Sequence, residues 1–173
     1  DPNLYILLPA AQEKFQDHLE KALVRFGING KVISAENVEK LKPCLFKVAE
    51  LALTKSGTIN MELAIHMVPQ VVVYKVSRVT AFIAKKILKF HVDHISPVNL
   101  LLKERLLPEL VQKDLSFESV VKLAIPLLEN DKERLRILDG YKILREKLGD
   151  PGVTHRAARE ILDLSIKWIS PTD

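Results

Sequence analysis

The chain has 173 residues, of which 47% are hydrophobic and 28% are charged, and its formal net charge is +4. These values are typical of one globular domain with a buried core, and they exclude a disordered chain. Because only 6% of the residues are aromatic and the positive charge is mild, we expect no nucleic-acid partner, whereas an anionic substrate or a membrane surface is compatible with the charge.

The single cysteine, Cys44, excludes a disulfide or a cysteine-based zinc cluster within one chain and favours a reducing compartment. The five histidines lack the spacing of a helical metal site, so we predict no metal. We also expect no cofactor. No apolar run reaches the roughly 18 residues of a membrane-spanning helix, and no signal or transit peptide is visible. Because Asp1 is followed almost at once by a predicted strand, we expect the fold to be without its natural start.

The first part of the chain alternates between short apolar runs and segments with helical spacing. The apolar runs predict strands at residues 4–9, 31–34, 50–54, 68–74 and 91–95. The helical spacing predicts helices over residues 11–26, 36–48, 58–67 and 77–89. Gly27 ends the first helix, and Pro43 interrupts or bends the second. Such alternation requires crossover connections, which predicts an α/β fold with a parallel sheet flanked by helices.

From residue 106 onward the pattern is helical only. The predicted helices cover residues 106–112, 117–128, 131–148 and 154–168. A break at Gly149-Asp150-Pro151-Gly152 separates the last two.

The segment Ser56-Gly57-Thr58 joins the third predicted strand to the helix that follows it. A strand, a tight glycine turn and a helix N-terminus together predict a phosphate site, because the first N–H groups of the helix point outward. Glu62 lies one helical turn after Thr58, so its carboxylate can reach past the phosphates towards a sugar hydroxyl. Helix capping alone also explains Ser56 or Thr58, and Glu62 is also typical of a solvated acid in a first helical turn.

Two further loops follow strands of the same predicted sheet, and ligands of such sheets bind beyond the carboxyl ends of the strands. One loop begins at Tyr74 and Lys75, and the other contains Ser96 and Asn99. Tyr74 is also compatible with a core position and Lys75 with a plain surface charge. Asn99 is also compatible with a turn or a helix cap.

Four segments of the chain resemble lipid-A-disaccharide synthase, a family of glycosyltransferases with two facing Rossmann-like halves. They are Ser56-Gly57-Thr58 with Glu62, the run from Pro69 to Lys75, Ser96-Pro97-Val98-Asn99, and the run from Pro108 to Gln112. Their order and spacing match from roughly residue 48 to 128, whereas residues 1–47 match in pattern only. Residues 76–85 look more like the plant versions than the bacterial ones.

The resemblance implies a UDP-linked diacylglucosamine donor, a diacylglucosamine 1-phosphate acceptor and the β-1,6-linked disaccharide core of lipid A as product. It implies that this chain is the carboxyl-terminal, UDP-binding half of an enzyme of the GT-B class. Ser56-Gly57-Thr58 matches the family's phosphate turn, Glu62 the acid on the ribose, and Asn99 a residue near the donor. The predicted donor-binding residues are Ser56, Gly57, Thr58, Glu62, Tyr74, Lys75, Ser96 and Asn99.

On this interpretation, residues 1–105 form a Rossmann-like nucleotide-sugar-binding core that is expected to lack its first strand. Residues 106–173 form a helical carboxyl-terminal segment that packs on the same domain. The acceptor site and the catalytic carboxylate are expected on an amino-terminal half outside these residues, so we expect this chain alone to be inactive. The expected protein partner is that amino-terminal half or a second copy of the chain.

Two other functions stay open: a non-catalytic UDP-sugar-binding half-enzyme that acts as a partner or regulator, and a different two-domain sugar transferase. The basic residues of the helix predicted over 77–89 suggest peripheral contact with an anionic membrane, or else a plain solvated face. The resemblance implies a mitochondrial location for a plant protein, and otherwise the bacterial cytoplasm or inner-membrane surface.

Overall fold

A computed structural model describes residues 4–77 and 93–169 of the chain. The strands within these ranges are β1 (Ile6–Pro9), β2 (Gly30–Ile33), β3 (Ala52–Lys55), β4 (Gln70–Tyr74) and β5 (Glu109–Val111). The helices are α1 (Gln16–Arg25), α2 (Ala35–Val48), α3 (Ile59–Ile65), α4 (Pro97–Leu102), α5 (Phe117–Glu129), α6 (Asp131–Leu148) and α7 (Val153–Ile169). Short 3-10 turns cover Glu13–Phe15 and Gln112–Asp114.

The strands pair in parallel and form two separate sheets. β1 pairs with β2 in one sheet, and β3, β4 and β5 are neighbours in that order in the other. Parallel neighbours need a crossover connection, which α1 provides between β1 and β2 and α3 provides between β3 and β4. The predicted α/β class, with parallel strands flanked by helices, is confirmed.

The main hydrophobic core lies against the three-stranded sheet. Val71 and Val72 of β4 are fully buried at its centre, which explains why β4 reads as a continuous apolar run. α6 covers the core with Ile137, Tyr141 and Leu144. The side chains buried around the β1–β2 sheet, such as Leu23 and Ile33, lie outside this cluster. The three-stranded half of the chain therefore has the larger core.

Most predicted elements are present, but the helix predicted over residues 106–112 is wrong. Residues Glu109–Val111 form β5, which pairs with β4. Three residues are too few to show a periodicity, and a contact from a distant part of the chain, Val72 N–H to the Pro108 carbonyl at 2.9 Å, fixes the extended conformation. Pro43 lies inside α2 and does not end it.

Two other predictions fall partly outside the described residues. The strand predicted over residues 91–95 is wrong for residues 93–95, which are irregular. Residues 78–92 lie outside the described ranges. They include the rest of that strand and residues 78–89 of the predicted basic helix. The division of the chain at residue 105 stays a prediction, although β5 belongs to the same sheet as β3 and β4.

The last helix, α7, is exposed along residues 153–165. Its apolar side chains Ile161, Leu162 and Leu164 are among those left uncovered. Within residues 4–77 and 93–169, no helix combines the length and the hydropathy needed to cross a membrane.

Candidate functional site

Ser56, Gly57 and Thr58 form the turn between β3 and α3. Asn60 holds this turn, because its side-chain oxygen accepts a hydrogen bond from the Gly57 N–H at 2.9 Å. The N–H groups of Thr58, at the N-cap, and of Ile59, the first residue of α3, have no acceptor within the helix and can serve a phosphate. A Cβ atom at Gly57 would meet nothing within 4 Å, so the fold itself does not require glycine there.

A buried polar network lies beneath the turn. The Asn60 amide nitrogen donates to Thr54 Oγ1 at 2.8 Å and to Gln70 Oε1 at 2.9 Å. Gln70 Nε2 donates to the Tyr141 hydroxyl at 3.1 Å, and that hydroxyl donates to the Val68 carbonyl at 3.0 Å. Burial raises the pKa of the Tyr141 phenol well above its ordinary value, because desolvation disfavours the phenolate. The network ties the turn to β3, β4 and α6.

Ser56 connects the turn to the loop that precedes α4. The Ser56 hydroxyl donates to the Ile95 carbonyl at 2.5 Å. In that loop the Ser96 hydroxyl accepts the Asn99 N–H at 3.2 Å and caps α4. Two of the segments that carry the resemblance, far apart in sequence, therefore lie together. Both serine hydroxyls already have partners within the fold.

Glu109, on the neighbouring strand β5, organises the same loop. Its buried carboxylate accepts hydrogen bonds from Ser96 N–H at 2.8 Å, from Asn99 Nδ2 at 2.9 Å and from Ile95 N–H at 3.2 Å. The Asn99 amide also pairs with the Leu107 backbone, donating to its carbonyl at 2.9 Å and accepting from its N–H at 2.8 Å. Asn99 is fully buried, so its side chain shapes the loop and is not free for a ligand.

Glu62 faces α2. Its carboxylate pairs with Lys42 Nζ at 2.9 Å, and Lys42 also pairs with Glu39 at 3.1 Å. These carboxylates, Glu62 first, raise the pKa of the Lys42 ammonium. The Glu62 side chain is 39% exposed, so a ligand hydroxyl can still reach it.

Tyr74 and Lys75 lie at the carboxyl end of β4, where Tyr74 is half-buried and Lys75 is exposed. Just beyond them, Val76 N–H donates to Gln112 Oε1 at 3.2 Å and links the ends of β4 and β5. In the described part of the chain, neither Tyr74 nor Lys75 is hydrogen-bonded to the cluster of Ser56, Ser96 and Asn99. Tyr74 and Lys75 therefore lie at the same carboxyl end of the sheet as that cluster, without a hydrogen bond to it.

Sequence reasoning missed the residues that hold these loops, namely Asn60, Gln70, Glu109 and Tyr141. Gln70 and Glu109 carry a readable signal, because each is a polar residue within an apolar, strand-like run and a buried polar group needs a partner. Tyr141 carries none, because its partner Gln70 is 71 residues away.

The described ranges contain two surface cavities away from the turn and no group of side chains suited to a metal ion. Two surface cavities of about 480 Å³ and 340 Å³ lie away from the turn, one between α1 and β2 and the other between Glu104 and α6. Across residues 4–77 and 93–169, no three His, Cys, Asp or Glu side chains lie close enough together to hold a metal ion.

Comparison with known proteins places these loops in a family. Residues 1–158 match the profile of the family described as lipid-A-disaccharide synthetase. The chain belongs to this family. The match extends beyond residues 48–128, so residues 1–47 share more than a pattern.

Three relatives, each named lipid-A-disaccharide synthase, show how much of a family member is present. The one from Prochlorococcus marinus (strain MIT 9313) is 55% identical over 95% of this chain and 42% of the relative. Those from Gloeothece citriformis (strain PCC 7424) and Synechocystis sp. are 40% and 37% identical, over 94% and 95% of this chain and 41% of each relative. The chain thus spans about two fifths of the length of these lipid-A-disaccharide synthases.

Proposed function

We propose that this chain supplies the UDP-donor-binding half of a lipid A glycosyltransferase of the GT-B class. The complete enzyme would transfer diacylglucosamine from its UDP-linked donor to diacylglucosamine 1-phosphate, giving lipid A disaccharide and UDP. The observation that carries this proposal is the family match over residues 1–158, which includes both loops that meet through the bond from Ser56 to Ile95.

The roles proposed for the site residues depend on which N–H groups and side chains can still bond to a ligand. The N–H groups of Thr58 and Ile59 would receive the diphosphate, where fixed donors stabilise the charge that develops on the leaving UDP. The room at Gly57 would let the diphosphate approach the backbone. Glu62 would accept a ribose hydroxyl, in exchange for or beside its bond to Lys42.

The other predicted donor residues would act less directly. Ser56, Ser96 and Asn99 would hold the two loops in place, because their side chains are already bonded within the fold. Tyr74 and Lys75 would contact the donor from the end of β4, where Lys75 is exposed.

The remaining functions would come from outside this chain. The acceptor site and the general base would lie on an amino-terminal half, so the proposed partners are that half or a second copy, and the chain alone would be inactive. Peripheral membrane contact would bring the site to its lipid substrates. The relatives compared come from bacteria, which favours the bacterial cytoplasm or inner-membrane surface over the mitochondrion.

The test is a calorimetric titration of the folded chain with UDP. Glu62→Ala should weaken UDP binding by about tenfold, because a hydrogen bond to a charged group is lost. Glu39→Ala is the matched control, since it also removes a carboxylate from Lys42 but lies on α2, and its affinity should equal that of the wild type. No UDP binding by the folded chain would count against the site, and equal effects of the two variants would remove Glu62 from it.

One alternative function also stays a proposal, namely a non-catalytic UDP-sugar-binding half-enzyme that acts as a partner or regulator. It would bind UDP in the same way but form no lipid A disaccharide in the presence of the amino-terminal half of a relative. Disaccharide formed only when both parts are present would favour the enzymatic function.

A further inference from the structure

Lys55 is the last residue of β3 and directly precedes the Ser56-Gly57-Thr58 turn. Its backbone is held from two sides, because β3 pairs with β4 and the Asn60 side-chain nitrogen donates to the Lys55 carbonyl at 3.4 Å. Asn60 also accepts the Gly57 N–H, so one side chain holds both the lysine and the turn. The Lys55 side chain is exposed. The fold therefore fixes where this side chain begins and leaves its ammonium group accessible to a ligand.

The register of the sheet places Lys75 beside Lys55. Lys55 is the partner of Val73 across the β3–β4 pair, and partners in parallel strands point to the same face of the sheet. Lys75 follows Val73 by two residues, so the alternation along a strand returns its side chain to that face. With strands about 4.8 Å apart and a rise of about 3.3 Å per residue, the Cα atoms of the two lysines are roughly 8 Å apart.

Neither lysine has a counter-ion among the described residues. The ion pairs within residues 4–77 and 93–169 lie on α1, α2, α3 and α6 and involve neither Lys55 nor Lys75. Two ammonium groups on adjacent strands repel each other unless an anion compensates them. A diphosphate carries enough charge to bond to both at once. The two lysines also lie at the carboxyl end of the sheet, where ligands of such sheets bind.

We propose that Lys55 binds the diphosphate of the donor together with Lys75. This role rests on the proposed UDP site and adds a residue that the resemblance does not assign. Lysine suits the task, because its ammonium is a compact charge on a flexible stem. The turn alone offers only neutral N–H groups, whereas the two ammonium groups would stabilise the negative charge that develops on the leaving diphosphate.

The test compares UDP, uridine and inorganic pyrophosphate as ligands of the full 173-residue chain. Lys55→Gln removes the charge, so the Kd for UDP and for pyrophosphate should each rise by about tenfold. The Kd for uridine should not change, because uridine carries no phosphate. Lys55→Arg keeps the positive charge and should restore most of the affinity for UDP. Calorimetry measures UDP and uridine, and an NMR titration measures pyrophosphate.

Lys113→Gln is the matched control. Lys113 is exposed and follows a strand of the same sheet, but that strand, β5, is separated from β3 by β4. The control changes the net charge equally, and at 0.15 M salt the screening length is only about 8 Å, so its affinity for UDP should stay close to that of the wild type. Lys55→Gln should also be no less stable than Lys113→Gln, because it relieves a repulsion and breaks no bond.

The outcomes separate this role from the UDP function. Equal UDP affinities of Lys55→Gln and the wild type would overturn the role of Lys55 and leave the UDP site in place. Equal losses for UDP and uridine, or equal losses in Lys55→Gln and Lys113→Gln, would also overturn it. If the wild type bound UDP no more tightly than pyrophosphate, and Lys55→Gln lost pyrophosphate binding, the lysine site would be supported and the UDP function contradicted. Binding of neither ligand to the folded wild type would overturn both.

Discussion

Replacing Asn60 with alanine tests whether the buried network holds the Ser56-Gly57-Thr58 turn. The Asn60 side chain makes three hydrogen bonds of 2.9 Å or less, to Gly57, Thr54 and Gln70. At about 0.5–1.5 kcal/mol for each bond, and with the fully buried Gln70 losing a donor, the expected loss of stability is about 2–4 kcal/mol. For a chain of this size, a loss of about 3 kcal/mol lowers Tm by about 6–12 °C.

The assay is urea denaturation of the whole chain, followed by circular dichroism. Thr58→Ala is the control within the same turn, because Thr58 is exposed and its side chain makes no cap hydrogen bond. Its stability should stay within about 0.5 kcal/mol of the wild type. The reasoning is refuted if Asn60→Ala is no less stable than Thr58→Ala, since the turn would then not depend on the network.

Two further substitutions test the remaining buried bonds. Tyr141→Phe should cost about 1–3 kcal/mol at neutral pH, because the Val68 carbonyl loses its donor. Since burial raises the folded pKa of Tyr141, its contribution is complete below the unfolded value of about 10 and is lost as the pH rises. Urea titrations between about pH 9 and pH 11 should therefore show a smaller decline for the variant, and parallel declines would contradict this. Glu109→Gln should cost about 1–3 kcal/mol, because its three N–H donors lose a charged acceptor. The exposed Glu104→Gln should cost under about 0.5 kcal/mol, and equal losses would contradict the role of Glu109.

The longer helices and strands could be predicted from the sequence, because their residue patterns are regular. The elements whose conformation depends on contacts with distant residues could not. A continuous apolar run predicted β4, whose adjacent Val71 and Val72 are buried on its two faces. The helical spacing predicted α6, because eighteen residues display it well. β5 was missed because three residues show no period and their conformation depends on pairing with β4. The separation of the strands into two sheets was also not predictable, because an alternating pattern indicates parallel pairing but not which strands are neighbours.

The candidate site divides in the same way. Local chemistry pointed to Ser56, Ser96 and Asn99. The two loops that carry these residues do meet at the carboxyl end of the sheet, through the hydrogen bond from Ser56 to the Ile95 carbonyl. Their side-chain partners were hidden, because Glu109 lies 10 residues beyond Asn99 in a strand that was predicted as helix. Without those partners, a buried asparagine that shapes a loop cannot be told from one that binds a ligand.

The bonds inside the fold decide which substitutions can report on a ligand. Changing Asn99 or Ser56 breaks buried or half-buried bonds, so a loss of UDP binding would follow from a displaced loop even if neither side chain touched the ligand. Glu62 is different, because its bond to Lys42 is accessible to solvent and such a pair adds little stability. A loss of affinity in Glu62→Ala with unchanged stability would therefore indicate direct contact. The same loss in Asn99→Ala would not, unless the variant unfolded at the same urea concentration as the wild type.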